Sequence, residues 1–565
     1  MQILEGNTDM ECLQKGEELL NNLFPDDKCE EDTNTHKSIR NYNLKLLNKE
    51  KPMVMITEVT DLIDKLNPKK SPGIDNISNN MIRHTKQFIA PILVKLFQKC
   101  LDLQYYPAEW KRAEAIIIPK PGKTDFNNYK NYRPLCLNSN ISKILEKIIN
   151  NRIIKYYEDF NLLSDRQHDF RRSKSTITAL TEIIKIALEH KTREYAAIIA
   201  VDISAAFDNA WWPALMKRLD EDGCPQGGPL APTLWNILIN EILNNNLDDN
   251  CETIGYADDI TLICWNKTPE QLRKTKDNVL RKINEWCESR KLKLSDEKTK
   301  KLYLYKCNSD IIVSGSKLIK PVEELKILGV TIKNHRVRSK LDFTPHVNET
   351  IIKVTRASGY LFGLTKKAWG LDFRRRLILY KTLYRSTITY GYPIWYPFIN
   401  KKSKDKLNSL QYNILKHCIQ AYSTTSSDCT HILAQVPKLT EYIESNMLKT
   451  EINYNRFDSS SRNIISNYIR EKLQKYYEKT NTIFKSFFTD SQIPKYKQWV
   501  CYRMPVYGPK DLGGHCSKDV ELNQWVCYRI LVYGPKGLGG HCSKDVELNP
   551  GLWTERSGRP SASRV

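Results

Sequence analysis

Residues 255–264 read Gly-Tyr-Ala-Asp-Asp-Ile-Thr-Leu-Ile-Cys, and this stretch decides the fold. Asp258 and Asp259 stand side by side before an apolar run of strand-forming residues, which predicts a β-hairpin with both carboxylates at its tip. Folding gains nothing from two neighbouring negative charges, because they repel each other. A divalent cation removes that objection, since hard Mg²⁺ prefers carboxylate oxygen. The alternative interpretation is an exposed, Asp-rich turn that binds nothing.

A third carboxylate ends the apolar run at residues 196–203. Asp202 follows six apolar residues, where an ionised side chain is expensive to bury without a partner. If this strand lies beside the hairpin, Asp202 and Asp258 can hold two metal ions, activate a primer 3′-hydroxyl and stabilise a leaving pyrophosphate. The alternative is that Asp202 caps the helix that follows it.

The composition of the chain indicates a polyanionic partner. Among the 565 residues, 87 Lys and Arg outnumber 65 Asp and Glu, giving a net charge of +22. Such an excess attracts nucleic acid, because each neutralised phosphate releases condensed counterions. No apolar run is long enough for a membrane span and no secretory signal is visible, so we expect a soluble, intracellular protein. The 15 cysteines have irregular spacing, which predicts reduced thiols.

Two periodicities alternate along the middle of the chain. Short apolar runs at residues 113–119 and 196–203 predict buried strands, whereas residues 141–154 and 234–247 have the spacing of amphipathic helices. Strands interleaved with helices indicate an α+β core. Residues 340–485 lose the strand signal and read as a basic helical region, as in the run at residues 372–390.

The C-terminal tail contains a direct duplication. Residues 498–523 recur almost letter for letter at residues 524–549, and two copies are too few for a solenoid. We expect a flexible extension. Zinc binding through Cys501, His515 and Cys516 is the alternative, although their spacing matches no familiar site.

Motifs in one fixed order resemble those of reverse transcriptases from non-LTR, LINE-like retrotransposons of the jockey-like arthropod lineage. VDISAAFDNAWW, CPQGGPLAPTLWNILINEI and GYADDITLIC are similar to motifs A, B and C of the family. The motifs of the fingers, motif D and motif E resemble, in order, KSPGIDNISNNMI (70–82), AIIIPKPGK (115–123), NYRPLCLNSNISKILEKII (131–149), RQHDFRRSKSTITAL (166–180), WCESRKLKLSDEKTK (286–300) and LKILGVTIK (325–333). The resemblance covers about residues 10–445.

The resemblance implies a role for each matching residue. Asp202, Asp258 and Asp259 are the expected catalytic and metal-binding carboxylates, with Mg²⁺ or Mn²⁺ as cofactor, and Lys298 matches a lysine proposed as general acid to pyrophosphate. Phe207 matches the steric gate that excludes a ribose 2′-hydroxyl. The remaining residues expected to bind the nucleotide are Lys120, Arg133, Gln226, Gly227 and Tyr256. Lys120 and Arg133 are alternatively ordinary surface charges, and Phe207 a core aromatic.

Several features depart from the family pattern. Asp202 and Gln226 are only 24 residues apart, although the family has further helix and strand between motifs A and B. The helix predicted at residues 211–219 is joined to motif B by residues 220–223 alone. Asp169 and Ser173 stand where the family usually has Gly. We recognise neither the endonuclease that such proteins usually carry nor a zinc knuckle. We expect the polymerase part of a truncated or decayed copy, damaged by a deletion between motifs A and B; the alternative is a gene model that skips a segment.

Together these observations predict a right-hand polymerase of the α+β class. We expect a linker at residues 1–54, fingers at 55–195, a palm at 196–335, a helical thumb and connection at 336–485, and a disordered, duplicated tail at 486–565. The expected partners are an RNA template, a DNA primer or target, and dNTPs, with no membrane. The expected location is a cytoplasmic ribonucleoprotein and the nucleus. The alternatives are an inactive nucleic-acid-binding remnant and an RNA-dependent RNA polymerase, which Phe207 and Ala257 disfavour.

Overall fold

The structure, a computed structural model, describes most of the first 455 residues. The described residues are 9–23, 27–42, 53–120, 122, 125, 128–204, 206, 209–221, 231–295, 298–304, 321–335, 337, 340–365 and 371–455. One compact unit comprises Met1–Ala434 and Lys438–Lys472, and a second comprises Gln435–Pro437 and Leu473–Val565. Except for Gln435–Pro437, every described residue lies in the first unit. The duplicated tail lies outside the described residues.

Helices and strands alternate through the described chain. The helices are α1 Asp9–Leu23, α2 Asn34–Arg40, α3 Ile56–Asp64, α4 Asn79–His84, α5 Lys86–Asp102, α6 Asn140–Asp159, α7 Thr176–Arg193, α8 Trp212–Glu221, α9 Ala231–Asn244, α10 Pro269–Glu288, α11 Thr344–Thr365, α12 Phe373–Leu379, α13 Arg385–Ile388, α14 Tyr392–Trp395, α15 Lys401–Cys418, α16 Ser427–Ala434 and α17 Leu439–Asn455. The strands are β1 Glu114–Pro119, β2 Tyr132–Leu137, β3 Tyr195–Asp202, β4 Cys251–Tyr256, β5 Asp259–Asn266, β6 Lys300–Tyr303, β7 Glu324–Ile327, β8 Val330–Asn334 and β9 Leu341–Asp342. This mixture confirms the predicted α+β class at the level of helix and strand content.

A four-stranded antiparallel sheet forms the centre of the described chain. Its strand order is β4-β5-β3-β6, so the hairpin β4–β5 lies directly beside β3, which is the condition on which the two-metal interpretation depends. Ala197, Ile199 and Val201 alternate along β3 and therefore share one face of the sheet. They pack in one hydrophobic cluster with apolar residues of α9 and α10, including Leu238 and Val279. The apolar run at residues 196–203 is thus a buried strand because helices cover it.

Short backbone pairings extend the sheet at both edges near its carboxylate-bearing end. Beyond β3, Ile203 pairs with Leu294, and the Ser295 amide donates to the carbonyl of Asp202 at 2.8 Å. At the other edge, Gln167 pairs with Gly255 of β4. A Cβ at Gly255 would stand 3.0 Å from the Leu243 side chain and 3.2 Å from the Gln167 amide oxygen, so this position leaves little room for a side chain.

The region before the central sheet has a helical core of its own. Apolar residues of α3, α5 and α6 form a second hydrophobic cluster that includes Ile63, Phe97 and Leu145. Strands β1 and β2 form a separate two-stranded ribbon. The strand predicted at residues 113–119 is confirmed, but the prediction that it is buried is wrong. Five of the six residues of β1 are exposed, because a ribbon of two strands covers neither of its own faces.

Residues 27–42, which the sequence suggested were part of a linker, pack against the first turn of α8 and the C-terminal end of α10. Arg40 donates to the carboxylates of Asp27 and Asp32, and Lys291 also contacts both. The Trp211 indole donates to Asp27 at 3.0 Å. Charged side chains of residues 27–42 and of Lys291 therefore surround the buried indole ring of Trp211. These contacts attach residues 27–42 to the rest of the unit.

The described residues after the central sheet are mostly helical. A three-stranded sheet with order β7-β8-β9 comes first, followed by the helices α11 to α17. The helical prediction for residues 372–390 is confirmed, with a π-helical turn at Tyr380–Tyr384 between α12 and α13. None of the described helices has the length and apolar character needed to cross a membrane.

Candidate active site

The three predicted carboxylates meet at one end of the central sheet. Asp202 is the last residue of β3 and pairs in register with Asp259, the first residue of β5. Directly opposite residues on antiparallel strands have Cα atoms about 4.5–5.5 Å apart and project from the same face. Asp258 occupies the two-residue turn between β4 and β5. The sheet register therefore gathers residues that lie more than 50 positions apart in the sequence.

The turn that carries Asp258 has an unusual backbone conformation. Ala257, the first of its two residues, has a φ angle of 53°, in the left-handed region that favours glycine. A residue with a Cβ costs roughly 1–2 kcal/mol in this region. The indole of Trp235 on α9 donates to the carbonyl of Ala257 at 2.9 Å. The turn is therefore held by a contact from outside the hairpin.

Asp202 has a cationic partner in the structure. The Lys298 ammonium contacts one carboxylate oxygen of Asp202 at 2.9 Å, while two thirds of the lysine side chain remains exposed. The pairing of the Ser295 amide with the Asp202 carbonyl fixes the strand end three residues before the lysine. The predicted motif A aspartate and motif D lysine are thus brought together, and the lysine is still reachable from solvent.

Like charges and partial burial change the acidity of the other two carboxylates. Burial, followed by the charge of Asp202, raises the pKa of Asp258 above its usual range. Asp259 is an exposed residue, but the protein packed behind it partly desolvates its carboxylate. This desolvation, ahead of the charges of Asp258 and Asp202, raises its pKa to about 6. The site therefore resists carrying all its negative charge without a compensating cation.

The donor set fits Mg²⁺ or Mn²⁺ bound together with a phosphate-bearing substrate. Within the described residues, no group of three or more His, Cys, Asp or Glu side chains has the arrangement of a metal site. Mg²⁺ in polymerases is held through one or two carboxylates plus substrate phosphates and water, so a complete protein cage is not required. Asp202 and Asp258 would supply the two carboxylates, and the charge of Asp202, which adds to the rise in the pKa of Asp258, is the repulsion that a cation would relieve.

Tyr256 ends β4, next to the catalytic turn. Its hydroxyl makes a hydrogen bond with the carboxylate of Asp169. Burial, followed by the charge of Asp169, raises the pKa of Tyr256 to about 12. The charge of Asp169 also adds to the rise in the pKa of Asp258. Asp169, noted in the sequence only because it stands where the family usually has Gly, is therefore a fourth carboxylate beside the site.

The two predicted phosphate-binding cations lie on the β1–β2 ribbon and not on the central sheet. Arg133 is exposed on β2 and pairs in register with Ile118. Lys120 directly follows β1, and its ammonium donates to the carbonyl of Lys130 at 2.7 Å. The ribbon thus brings these two cations near each other. Phe207, Gln226 and Gly227 lie outside the described residues.

Sequence reasoning did not assign a role to Trp235 or Tyr390. Trp235 appeared only as one letter of motif B, and nothing in a single sequence links it to the turn at Ala257. The Tyr390 hydroxyl donates to the carbonyl of Leu328 at 2.8 Å, and a Cβ added at Gly329 would lie 3.1 Å from the Tyr390 ring. Tyr390 thereby holds the turn between β7 and β8. Only the contacts made in the folded structure reveal which turn each of these two side chains holds.

Residues 118–332 match the family described as reverse transcriptase (RNA-dependent DNA polymerase). The matched segment contains β3, β4 and β5 complete, together with all three aspartates and Lys298. Within this segment the chain is similar to the reverse transcriptases.

Proteins similar to this chain include products of retrotransposable and mobile elements. The Retrovirus-related Pol polyprotein from type-1 retrotransposable element R1 of Bradysia coprophila is 26% identical over 419 residues, which are 68% of this chain and 41% of that protein. The RNA-directed DNA polymerase from mobile element jockey of Drosophila melanogaster is 27% identical over 439 residues, 69% of this chain and 47% of that protein. The predicted resemblance to jockey-like, non-LTR elements is confirmed. The chain spans less than half the length of these relatives.

Proposed function

We propose that this chain is a reverse transcriptase that adds dNTPs to the 3′-end of a primer, with RNA as template, in the replication of a non-LTR retrotransposon. The observation that carries the proposal is the register pair Asp202–Asp259, which places the carboxylates of motifs A and C at one end of the central sheet. The relatives named as RNA-directed DNA polymerases support the choice of reaction.

In the proposed mechanism, Asp202 and Asp258 would hold Mg²⁺ or Mn²⁺ together with the phosphates of the incoming dNTP, and Asp259 would contribute less. A cation held there would supply activation of the primer 3′-hydroxyl and charge stabilisation for the leaving pyrophosphate. Lys298, already within 2.9 Å of Asp202, is placed to give a proton to that pyrophosphate.

Other residues orient the substrate in the same proposal. Tyr256 lies against the nucleotide next to the carboxylates. Lys120 and Arg133 on the ribbon contact the triphosphate, where a guanidinium offers bidentate donors. Phe207 excludes a ribose 2′-hydroxyl. Gln226 and Gly227 pack against the base and sugar.

The proposed architecture is a right hand. The helical core and ribbon at residues 55–195 are its fingers, residues 196–335 its palm, and the helices that follow its thumb and connection. The net charge of +22 suits an RNA template and a DNA primer or target. The proposed sites of action are a cytoplasmic ribonucleoprotein and the nucleus.

A primer-extension assay tests the proposal. The purified chain is given a DNA primer annealed to an RNA template, Mg²⁺, and either dNTPs or rNTPs. We expect extension with dNTPs that is lost in Asp202→Asn and Asp258→Asn and retained in Asp249→Asn. Asp249 is a matched control, because it is an exposed aspartate in the loop before β4, at the other end of the hairpin. Extension with rNTPs alone would instead identify an RNA polymerase.

The second candidate function is an inactive nucleic-acid-binding remnant. It is favoured by the length of α8, which takes ten of the 23 residues between Asp202 and Gln226 and ends at Glu221. Little chain remains for the segment that the family has between motifs A and B. Binding of primer–template without extension, together with extension by a variant that carries a homologous segment after Leu219, would establish this candidate. Equal extension by both proteins would exclude it.

A further inference from the structure

We propose that Trp235 is a positioning residue for the catalytic turn, an inference that rests on the polymerase function proposed above. Its indole N–H donates to the carbonyl of Ala257 at 2.9 Å, and only 1% of the residue is exposed. Ala257 immediately precedes Asp258. One part-buried hydrogen bond thus joins α9, the helix after the Gln-Gly loop, to the peptide that carries the proposed metal-binding carboxylate.

The backbone of the turn explains why an outside contact is needed. Ala257 has a φ angle of 53°, and a residue with a side chain leaves this region readily unless its surroundings hold it. Tyr256 and Asp259 pair across the base of the turn. The peptide between Ala257 and Asp258 lies beyond that pair, so ladder hydrogen bonds do not fix its orientation. The indole supplies the missing constraint.

Helix α9 is itself anchored, so it can act as a reference for the turn. Asn240 is fully buried; its amide donates to the carbonyl of Leu162 at 2.7 Å and accepts from the amide of Ser164 at 2.6 Å. Asn236 exchanges a further hydrogen bond with Gln167 and donates to the carbonyl of Asp169. Buried, fully paired amides of this kind hold a helix in one place.

Loss of the indole donor has a specific structural consequence. A part-buried carbonyl without a partner turns toward water or another donor, because an unpaired polar group is costly to bury. Rotation of the Ala257 peptide changes the direction of the Asp258 side chain relative to Asp202. Metal affinity and turnover then fall together, while the rest of the dNTP site is unchanged.

Two changes at Trp235 remove the N–H with different effects on packing. Trp235→Phe keeps an aromatic ring, and replacement by the benzothienyl analogue of tryptophan keeps the full bicyclic shape with sulfur in place of the N–H. Trp286→Phe is the matched control. Its indole is also buried and also contacts α9, donating to Glu241 at 3.1 Å, but it does not touch the turn.

The full chain is examined by three measurements: steady-state primer extension, Mn²⁺ affinity by electron paramagnetic resonance, and hydrogen exchange of peptides covering residues 255–262. For both Trp235 variants we expect kcat to fall at least ~10-fold while the KM for dNTP changes less than ~3-fold, as for a misplaced catalytic group. The Mn²⁺ dissociation constant rises, and exchange in the turn becomes faster. Trp286→Phe leaves all three unchanged.

The readouts separate this inference from the function on which it rests. Unchanged turn exchange and Mn²⁺ affinity in the benzothienyl variant overturn the role of Trp235, whatever the activity. If the unaltered chain extends no primer but the Trp235 variants loosen the turn, the proposed function fails and the positioning role stands. Equal losses in Trp286→Phe would show a general effect on stability and overturn the proposal.

Discussion

We expect Gly73→Ala to destabilise the protein more than a Gly→Ala substitution at any other described glycine. The loss of stability should arise in the region before the central sheet. A Cβ at Gly73 would stand 2.7 Å from the backbone carbonyl atoms of Asn138 and from the amide nitrogen of Ser139. Ordinary van der Waals contact begins at 3.4 Å, so about 0.7 Å of space is missing. These are backbone atoms, which, unlike the end of a flexible side chain, cannot move far to relieve the clash.

The group that must move is the N-cap of α6. The Ser139 hydroxyl accepts hydrogen bonds from the amides of Ile141 and Ser142, and Ser139 is only 5% exposed. Overpacking costs about 1–3 kcal/mol, and a disturbed cap adds about 0.5–2 kcal/mol. We therefore expect the free energy of unfolding to fall by about 2–4 kcal/mol.

Urea unfolding followed by tryptophan fluorescence measures the change, and hydrogen exchange of peptides covering residues 134–150 locates it. Gly359→Ala is the matched control, since it makes the same substitution inside α11, where no atom lies within 4 Å of the added methyl. That variant should be stabilised by about 0.5–1 kcal/mol, because Gly is a poor helix former. Opposite signs for the two variants are the signature of the clash. If Gly73→Ala unfolds like the unaltered chain, with unchanged exchange in α6, the reasoning is refuted.

Three further predictions concern the site and its surroundings. Because the pKa of Asp259 is raised to about 6, protons compete with cations there; Mn²⁺ affinity should weaken as the pH falls through about 6, and a dependence that persists unchanged in Asp259→Asn would contradict this origin. Phe207→Val, made in the variant with a homologous segment after Leu219, should raise the incorporation of rNTPs relative to dNTPs, because the ring no longer fills the space of the 2′-hydroxyl. Single-nucleotide insertion measures this ratio, and an unchanged ratio would mean that Phe207 is a core aromatic. Burial lowers the pKa of Lys191 to about 8, so the folded chain binds fewer protons than the unfolded chain between about pH 8 and 10.5, and its free energy of unfolding rises with pH there. In Lys191→Met the free energy of unfolding, measured by urea unfolding from pH 7.5 to 10, should not show this rise. A rise of equal size in that variant would show that another group causes it.

The sequence by itself determined the chemistry of the site and the order of its parts. Asp202 was predicted to belong to the site because a carboxylate after an apolar run needs a partner, and Asp258 and Asp259 because two adjacent negative charges need a cation. Both arguments use only neighbours along the chain. Strands β3 and β5 follow from short apolar runs, and helices α6 and α9 follow from apolar residues at three- and four-residue intervals, which is also local information. The ordered motifs added the family, which the comparisons confirmed.

Burial was decided by the tertiary structure. The apolar runs of β1 and β3 look alike in the sequence, yet β1 is exposed and β3 is covered by helices. Apolar spacing shows that a segment can be buried, whereas the elements packed against it determine whether it is. The docking of residues 27–42 has the same cause, since Arg40 finds its partners Asp27 and Asp32 locally but the fourth member, Lys291, lies about 250 positions away.

The fine geometry of the site also came from the tertiary structure alone. The contacts Trp235–Ala257, Asp169–Tyr256 and Lys298–Asp202 join residues 22 to 96 positions apart. None of these pairs leaves a periodic or compositional signal, because a hydrogen bond depends on where two side chains meet in space and not on their spacing in the chain. The sequence thus named the candidate catalytic groups, and the packing of α9 and the sheet edges decided what holds them in place.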